Sequence, residues 1–168
     1  MIFEGKVWKF GDNISTDLMM PGAQVEAKVG MTNEEASQYC MYANRPGWAA
    51  QVKPGDIIIG GRNWGCGSSR PAGRLIKALK ISVVVADSMS RLFFRNSINL
   101  GLPVMLCEGV SAAFNEGDKA SVNLETGEIK NLTTGKVLHG EALPADSPPM
   151  QILQAGGLKN LMKQPQAK

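Results

Sequence analysis

Asp56-Ile57-Ile58-Ile59-Gly60-Gly61-Arg62-Asn63-Trp64-Gly65-Cys66-Gly67-Ser68-Ser69-Arg70-Pro71 runs from an apolar segment, through a glycine-rich turn, towards the helix-like Leu75-Ile76-Lys77-Ala78-Leu79. An isoleucine run bounded by turn residues reads as a buried strand. Gly61, Gly65 and Gly67 let the backbone turn tightly and leave amides uncovered. Pro71 has its φ pre-set for a first helical position, where the N–H it lacks would have had no partner. Two hydroxyls and a guanidinium arrive at this helix start, an arrangement suited to an anion. The residue types favour a carboxylate; the plainer alternative is a turn whose serine caps a helix. Two other anion loops do not fit. The nucleotide-phosphate loop needs a Gly-Lys-Ser/Thr ending, and the dinucleotide fingerprint needs a third glycine where Arg70 stands.

Outward from this stretch the chain alternates. A helix over about 71–79, a strand over 81–86, a helix over about 90–99 and a strand over 103–107 give a βαβαβ rhythm, which predicts a sheet with crossover helices. The helix over 90–99 turns Leu92, Phe93, Phe94 and Ile98 to the core, and Gly101 marks its end. Upstream, Val7-Trp8-Lys9-Phe10 alternates as a strand and Gly11–Asp17 is a polar loop. Thr32 opens a helix running to about Ala43, with acids in its first turn. Downstream, Ala120–Leu124, Glu128–Lys130 and Lys136–Leu138 read as short strands, and Pro148–Ala155 as a closing helix. Residues 163–168 read as a frayed tail, and 1–168 as a single domain.

The composition excludes several classes. Apolar residues make up 43% of the 168 and charged residues 20%, close to globular averages. The net charge of +3 is spread along the chain without a basic block, so no nucleic-acid stripe is expected. No signal-like start or membrane-length apolar run is present, which gives a cytoplasmic expectation. The three cysteines, Cys40, Cys66 and Cys107, lie far apart. They suit neither a disulfide framework, nor a zinc site, nor an iron–sulfur cluster within this chain, so no metal or cofactor is expected here. Cys66 reads as a small residue in a tight loop. His139, the lone histidine, reads as a solvated loop residue, which leaves no serine or cysteine hydrolase triad.

Several segments, in order along most of the chain, together resemble the small subunits of 3-isopropylmalate dehydratase in the aconitase superfamily. They are Gly11–Asp17, Lys53–Asp56 through Gly65-Cys66-Gly67-Ser68-Ser69-Arg70, Ala86-Asp87-Ser88 through Phe93–Asn99, Gly101-Leu102-Pro103, Leu124–Gly127 and Ile152–Leu158. The resemblance implies an α/β fold, the swivelling β/β/α domain that forms the aconitase C-terminal lid. It also implies a separate large subunit carrying a [4Fe–4S] cluster, and a hydroxy-dicarboxylate substrate isomerised by dehydration and rehydration. Ser68 matches the family's catalytic base, and surrounding amides with a guanidinium would favour its negative charge. Ser69 and Arg70, with Gly67 beside them, match the substrate-binding positions; Arg70 would hold a carboxylate in a fork that lysine cannot copy. Asp17 would face the large subunit and orient its acid histidine, or else stabilise a turn.

Two departures stand out. The family usually continues Ser-Ser-Arg with Glu-His-Ala or Glu-Gln-Ala, whereas Pro71-Ala72-Gly73 follows here, and Gly73 weakens a first helical turn by about 1 kcal/mol. The family's specificity segment often reads Arg-Tyr-Leu; here Ala23-Gln24-Val25-Glu26 occupies it. Alternatives therefore stay open: the same chemistry on dimethylmalate, citramalate or homoaconitate, or a non-catalytic carboxylate-binding module.

Overall fold

A computed structural model describes residues 1–25, 30–67 and 70–163. The elements follow in the order β1 (Ile2–Lys9), α1 (Thr16–Met19), α2 (Gly22–Val25), α3 (Asn33–Ser37), β2 (Ile57–Gly60), α4 (Gly73–Ala78), β3 (Val83–Ala86) and α5 (Arg91–Leu100). Then come β4 (Val104–Leu106), α6 (Val110–Ala113), β5 (Lys119–Asn123), β6 (Glu128–Asn131), β7 (Val137–His139), α7 (Pro148–Gln154) and α8 (Leu158–Leu161). One sheet joins the strands in the order β4-β3-β2-β1-β5-β6-β7. The pairs from β1 to β4 are parallel, and those from β1 through β7 antiparallel.

Each parallel crossover steps the same way along the sheet, so right-handed connections stack their helices on one face. There α3 packs on α4, α4 on α5, and α5 on α7 and α8. Every residue of β2 and β3 is buried, the mark of strands covered on both sides. Beyond β7 the chain curls back, and Glu141 N donates to Leu106 O of β4 at 2.7 Å, bringing the two ends of the sheet together. Trp8, Phe10, Trp48 and Trp64 meet edge to face inside the core.

The expected strands and helices of the middle region form, with differences that have physical causes. The helix after the glycine turn opens at Gly73, not Pro71; Arg74 N donates to Pro71 O and Ala72 N to Arg70 O, so a tight turn precedes it. Gly73 is a point of close approach, because a Cβ there would stand 3.1 Å from Ser97 Oγ on α5. The helix from Thr32 has the expected cap, completed by Glu35 reaching back to Thr32 N, yet it ends at Ser37 instead of Ala43. Ser37 Oγ bonds to Glu34 O, Tyr39 and Cys40 donate three residues back, and Met41 turns left-handed at φ 60°, which pulls Cys40 and Met41 into the core. Leu92 is 43% exposed, contrary to expectation, while Phe93, Ser97 and Ile98 form the buried stripe of α5. β1 begins at Ile2, five residues before the alternating run, because its first half is specified by pairing with β5. His139 ends β7 with an exposed side chain.

Candidate functional site

Three loops leave the carboxyl ends of β1, β2 and β3 and satisfy their backbone groups on one another. Gly61 N donates to Gly11 O at 3.2 Å, Asn13 N to Arg62 O at 2.8 Å, Gly65 N to Ile14 O at 2.8 Å and Thr16 N to Cys66 O at 2.9 Å. Asp12 reinforces this ladder by accepting from Arg62 N at 2.7 Å, and Asn63 Nδ2 donates to Asn13 Oδ1 at 2.9 Å. On the other side Trp64 N donates to Ser88 O and Ser90 N to Trp64 O, while Ser90 Oγ donates to Gly65 O at 2.8 Å. The rim at the carboxyl ends of parallel strands is where open α/β sheets place their ligands.

The polar loop Gly11–Asp17 and the glycine-rich turn are thus neighbours in space. Ser15 caps α1 by accepting from Leu18 N at 3.2 Å, which fixes Asp17 in the first turn. Gly67 lies beside it at φ 93°, a backbone angle that side chains avoid; a Cβ would find ordinary space, 4.0 Å from Asp17 Oδ2. Arg70 Nε stands 3.4 Å from Asp17 Oδ1, and its Nη1 donates to Met20 O at 3.4 Å. Both side chains keep contact with water, so this pair contributes little to stability, about 0–1 kcal/mol. It holds the Arg70 guanidinium beside Asp17 and the Met20 carbonyl.

The structure therefore brings together Gly67, Arg70 and Asp17. Ser68, Ser69, Glu26 and the Ala23 side chain lie outside the described residues. The described part of the candidate specificity segment, Ala23 to Val25, lies in the short helix α2; Val25 is buried in the core and Gln24 half-buried. Sequence reasoning missed Ser15, Ser90 and Met20. The serines carried a signal, since each stands three residues before an amide that it caps, Leu18 and Phe93. Met20 carried none, because its carbonyl is what Arg70 uses.

The other cysteines stand apart from this rim. Burial pushes the Cys40 thiol far above its ordinary value, and burial followed by the nearby Asp87 charge raises that of Cys107. No helix among the described residues is long and apolar enough to cross a membrane.

Residues 9–108 match the aconitase C-terminal domain family. Over 167 residues the chain is 50% identical to the isopropylmalate/citramalate isomerase small subunit of Methanocaldococcus jannaschii, covering 99% of this chain and 96% of that protein. It is 42% identical to the 3-isopropylmalate dehydratase small subunit of Heliobacterium modesticaldum, covering 97% of this chain and 96% of that one. It is also 40% identical to the methanogen homoaconitase small subunit of Methanothermobacter thermautotrophicus, with 95% and 89% covered. The crystal structure of a 3-isopropylmalate dehydratase from Methanocaldococcus jannaschii superposes with a TM-score of 0.88 at 35% identity, covering 97% of this chain and 94% of that one. The chain belongs to the aconitase C-terminal domain family, among the small subunits of the 3-isopropylmalate dehydratase group.

Proposed function

We propose that this chain is the small subunit of a two-chain hydro-lyase that interconverts 2- and 3-isopropylmalate, a step of leucine biosynthesis, by removing water and adding it back with the positions exchanged. The observation that carries the reading is the convergence of Arg70, Gly67 and Asp17 on one rim, next to the segment that continues into Ser68 and Ser69. In this reading Arg70 holds a substrate carboxylate in a two-point grip. Ser68 takes the proton from the carbon beside that carboxylate as the C–H electrons form the double bond, and the hydroxyl leaves the neighbouring carbon as water. Rehydration returns the proton from Ser68 to the other carbon. Ser69 donates to the carboxylate or to the base, and Asp17 orients the large subunit's acid.

A [4Fe–4S] cluster in such an enzyme would act as a Lewis acid on the departing hydroxyl. The donor set of this chain does not fit it: Cys40 and Cys107 are buried, and among the described residues no three His, Cys, Asp or Glu side chains group to hold a metal. The cluster would belong to the large subunit, which the small-subunit relatives imply as the partner. Relatives named for citramalate and homoaconitate support a second reading, the same chemistry on another substituted malate or tricarboxylate.

Co-expression with a cluster-bearing large chain, followed by a panel of hydroxy acids, tests both. Isopropylmalate should show the highest kcat/KM, and Arg70→Lys should lower it by about 10²-fold. Full activity in Arg70→Lys would remove the grip; a different best acid would select the second reading.

A further inference from the structure

Two arginines converge on one residue. Arg70 donates to the Met20 carbonyl at 3.4 Å, and Arg74 Nη2 donates to the Met20 sulfur at 3.7 Å. Met20 closes α1, its N–H bonded to Thr16 O, and Pro21 follows it directly. Gln24 N and Val25 N both donate to Pro21 O, so α2 is tied to Pro21, and proline's fixed φ passes the direction of Met20 on to α2. Upstream the joint is pinned, since Met41 N donates to Met19 O and Met19 and Met20 are buried. Met20 is thus the point where the carboxylate-gripping arginine meets the segment read as selecting the substrate.

Arg74 serves none of the usual roles of a surface arginine. Its Nε is buried without a hydrogen-bond partner, and it forms no ion pair among the described residues. It borders a recess of about 340 Å³ that also includes Asn33, Glu34, Lys77 and Lys80. Lys77 in that recess is committed elsewhere, to Leu100 O and Gly156 O. A thioether is a weak acceptor, so the contact with Met20 can set position while adding little stability.

We propose that Arg74 is a positioning residue for substrate selection. By holding the Met20 side chain while Arg70 holds its carbonyl, it sets where α2 starts relative to the Arg70 guanidinium. The inference rests on the reading of residues 23–26 as the selecting segment. Arg70 changes partners when it takes a carboxylate; Arg74 keeps Met20, and with it α2, from following.

The test uses the complex with its large subunit and two acids that differ in their variable arm, citramalate and isopropylmalate. Arg74→Gln should change the ratio of their kcat/KM values by about 3- to 10-fold, below or at the lower end of the roughly 10- to 200-fold that one methylene of pocket shape can command, as suits a residue that acts through another. Arg74→Lys, which keeps the charge without the planar reach, should show the same changed ratio. An unchanged ratio, an equal loss on both acids with a lower melting temperature, or a wild-type ratio in Arg74→Lys would each overturn the proposal. Methyl-¹³C-methionine labelling of the small subunit gives a readout independent of activity. The Met20 methyl resonance, assigned with Met20→Leu, should move in both Arg70→Lys and Arg74→Gln. If no large subunit confers activity on the wild type, the enzymatic reading fails, and the methyl shifts still decide the coupling: a resonance unmoved in either variant overturns it.

Discussion

The parallel and antiparallel halves of the sheet are built on opposite rules. In β2 and β3 every side chain is buried, whereas β5 and β6 alternate buried with exposed or half-buried positions. Their loops differ in the same sense. The antiparallel turns draw on their own hairpin and the strand beside it: Gly127 N returns to Asn123 O, Thr133 N and Thr134 N both donate to Asn131 Oδ1, and Lys119 N of β5 donates to Thr133 Oγ1. The loops leaving the parallel strands satisfy each other, through Thr16 with Cys66 and Trp64 with Ser88. A turn served by its own hairpin and the adjacent strand has no need to meet a second loop. Loops that complete one another must, and they bring residues fifty apart, such as Asp12 and Arg62, onto one rim. The candidate site lies in the half whose loops are interdependent; the other half closes the sheet.

The contrast is broken most sharply through Ser68. Ser68→Ala should lower kcat by about 10³-fold, within the range for loss of a positioned base, while the urea midpoint stays unchanged. Thr134→Ala, in a turn of the antiparallel half, should leave kcat untouched. A Ser68→Ala enzyme with near wild-type turnover, or a Thr134→Ala enzyme with a large loss, would erase the division.

Stability probes the same contrast less steeply. Ile58 in β2 and Ile129 in β6 are both 0% exposed, but their surroundings differ. Ile58 has buried neighbours on both sides along its strand, so truncation leaves a cavity that little can fill; Ile58→Ala should cost about 3–4 kcal/mol. Ile129 is flanked by exposed Glu128 and Lys130 on a strand nearer the sheet edge, so relaxation is easier and Ile129→Ala should cost about 2–3 kcal/mol. Denaturant unfolding measures both, and equal losses would show that the antiparallel half is packed as rigidly as the parallel one.

The same division governed what could be read from sequence. The runs Ile57–Ile59 and Val83–Ala86 announce buried strands because covering on both faces writes a continuous apolar word. Gly101 marks the end of α5 because its φ of 75° demands a residue of that kind. The end of α3 was not legible: Ser37 bonding back to Glu34 and the left-handed Met41 are responses to the core around Met19. The first half of β1 exists through β5, more than a hundred residues away. At the candidate site, Gly67, Arg70 and Asp17 were singled out by residue type, and their adjacency was not legible, since it depends on a ladder between two segments that each read as loop. The contribution of Met20 is a backbone oxygen, which no side-chain pattern encodes.

The smallest effect lies where the two halves are clamped together. Arg45, in the loop ahead of β2, forks onto Glu116, in the loop ahead of β5: Nη1 stands 2.6 Å from Oε2, and Nη2 bonds to Oε1. The guanidinium also lies 5.2 Å from the centre of the Trp8 ring, and Lys9 N donates to the same carboxylate. The hydrogen bond from Arg45 is the main cause that holds the Glu116 carboxyl below its ordinary value of 4.5, against a smaller opposing pull from burial. A carboxyl whose folded pKa is depressed stabilises the fold above its unfolded value, and that contribution is lost as pH falls through the folded one. Both side chains are over a third accessible or nearly so, 34% and 38%, which keeps the contribution at neutral pH below about 1 kcal/mol. Glu116→Gln should therefore be slightly less stable than wild type at pH 7, and the two should converge once pH has dropped well below 4.5. Urea unfolding across that range measures the difference. A gap that persists unchanged in acid would mean that Glu116 holds the halves together by packing, with its charge irrelevant; no gap at any pH would mean that the seam is closed by β1 and β5 alone.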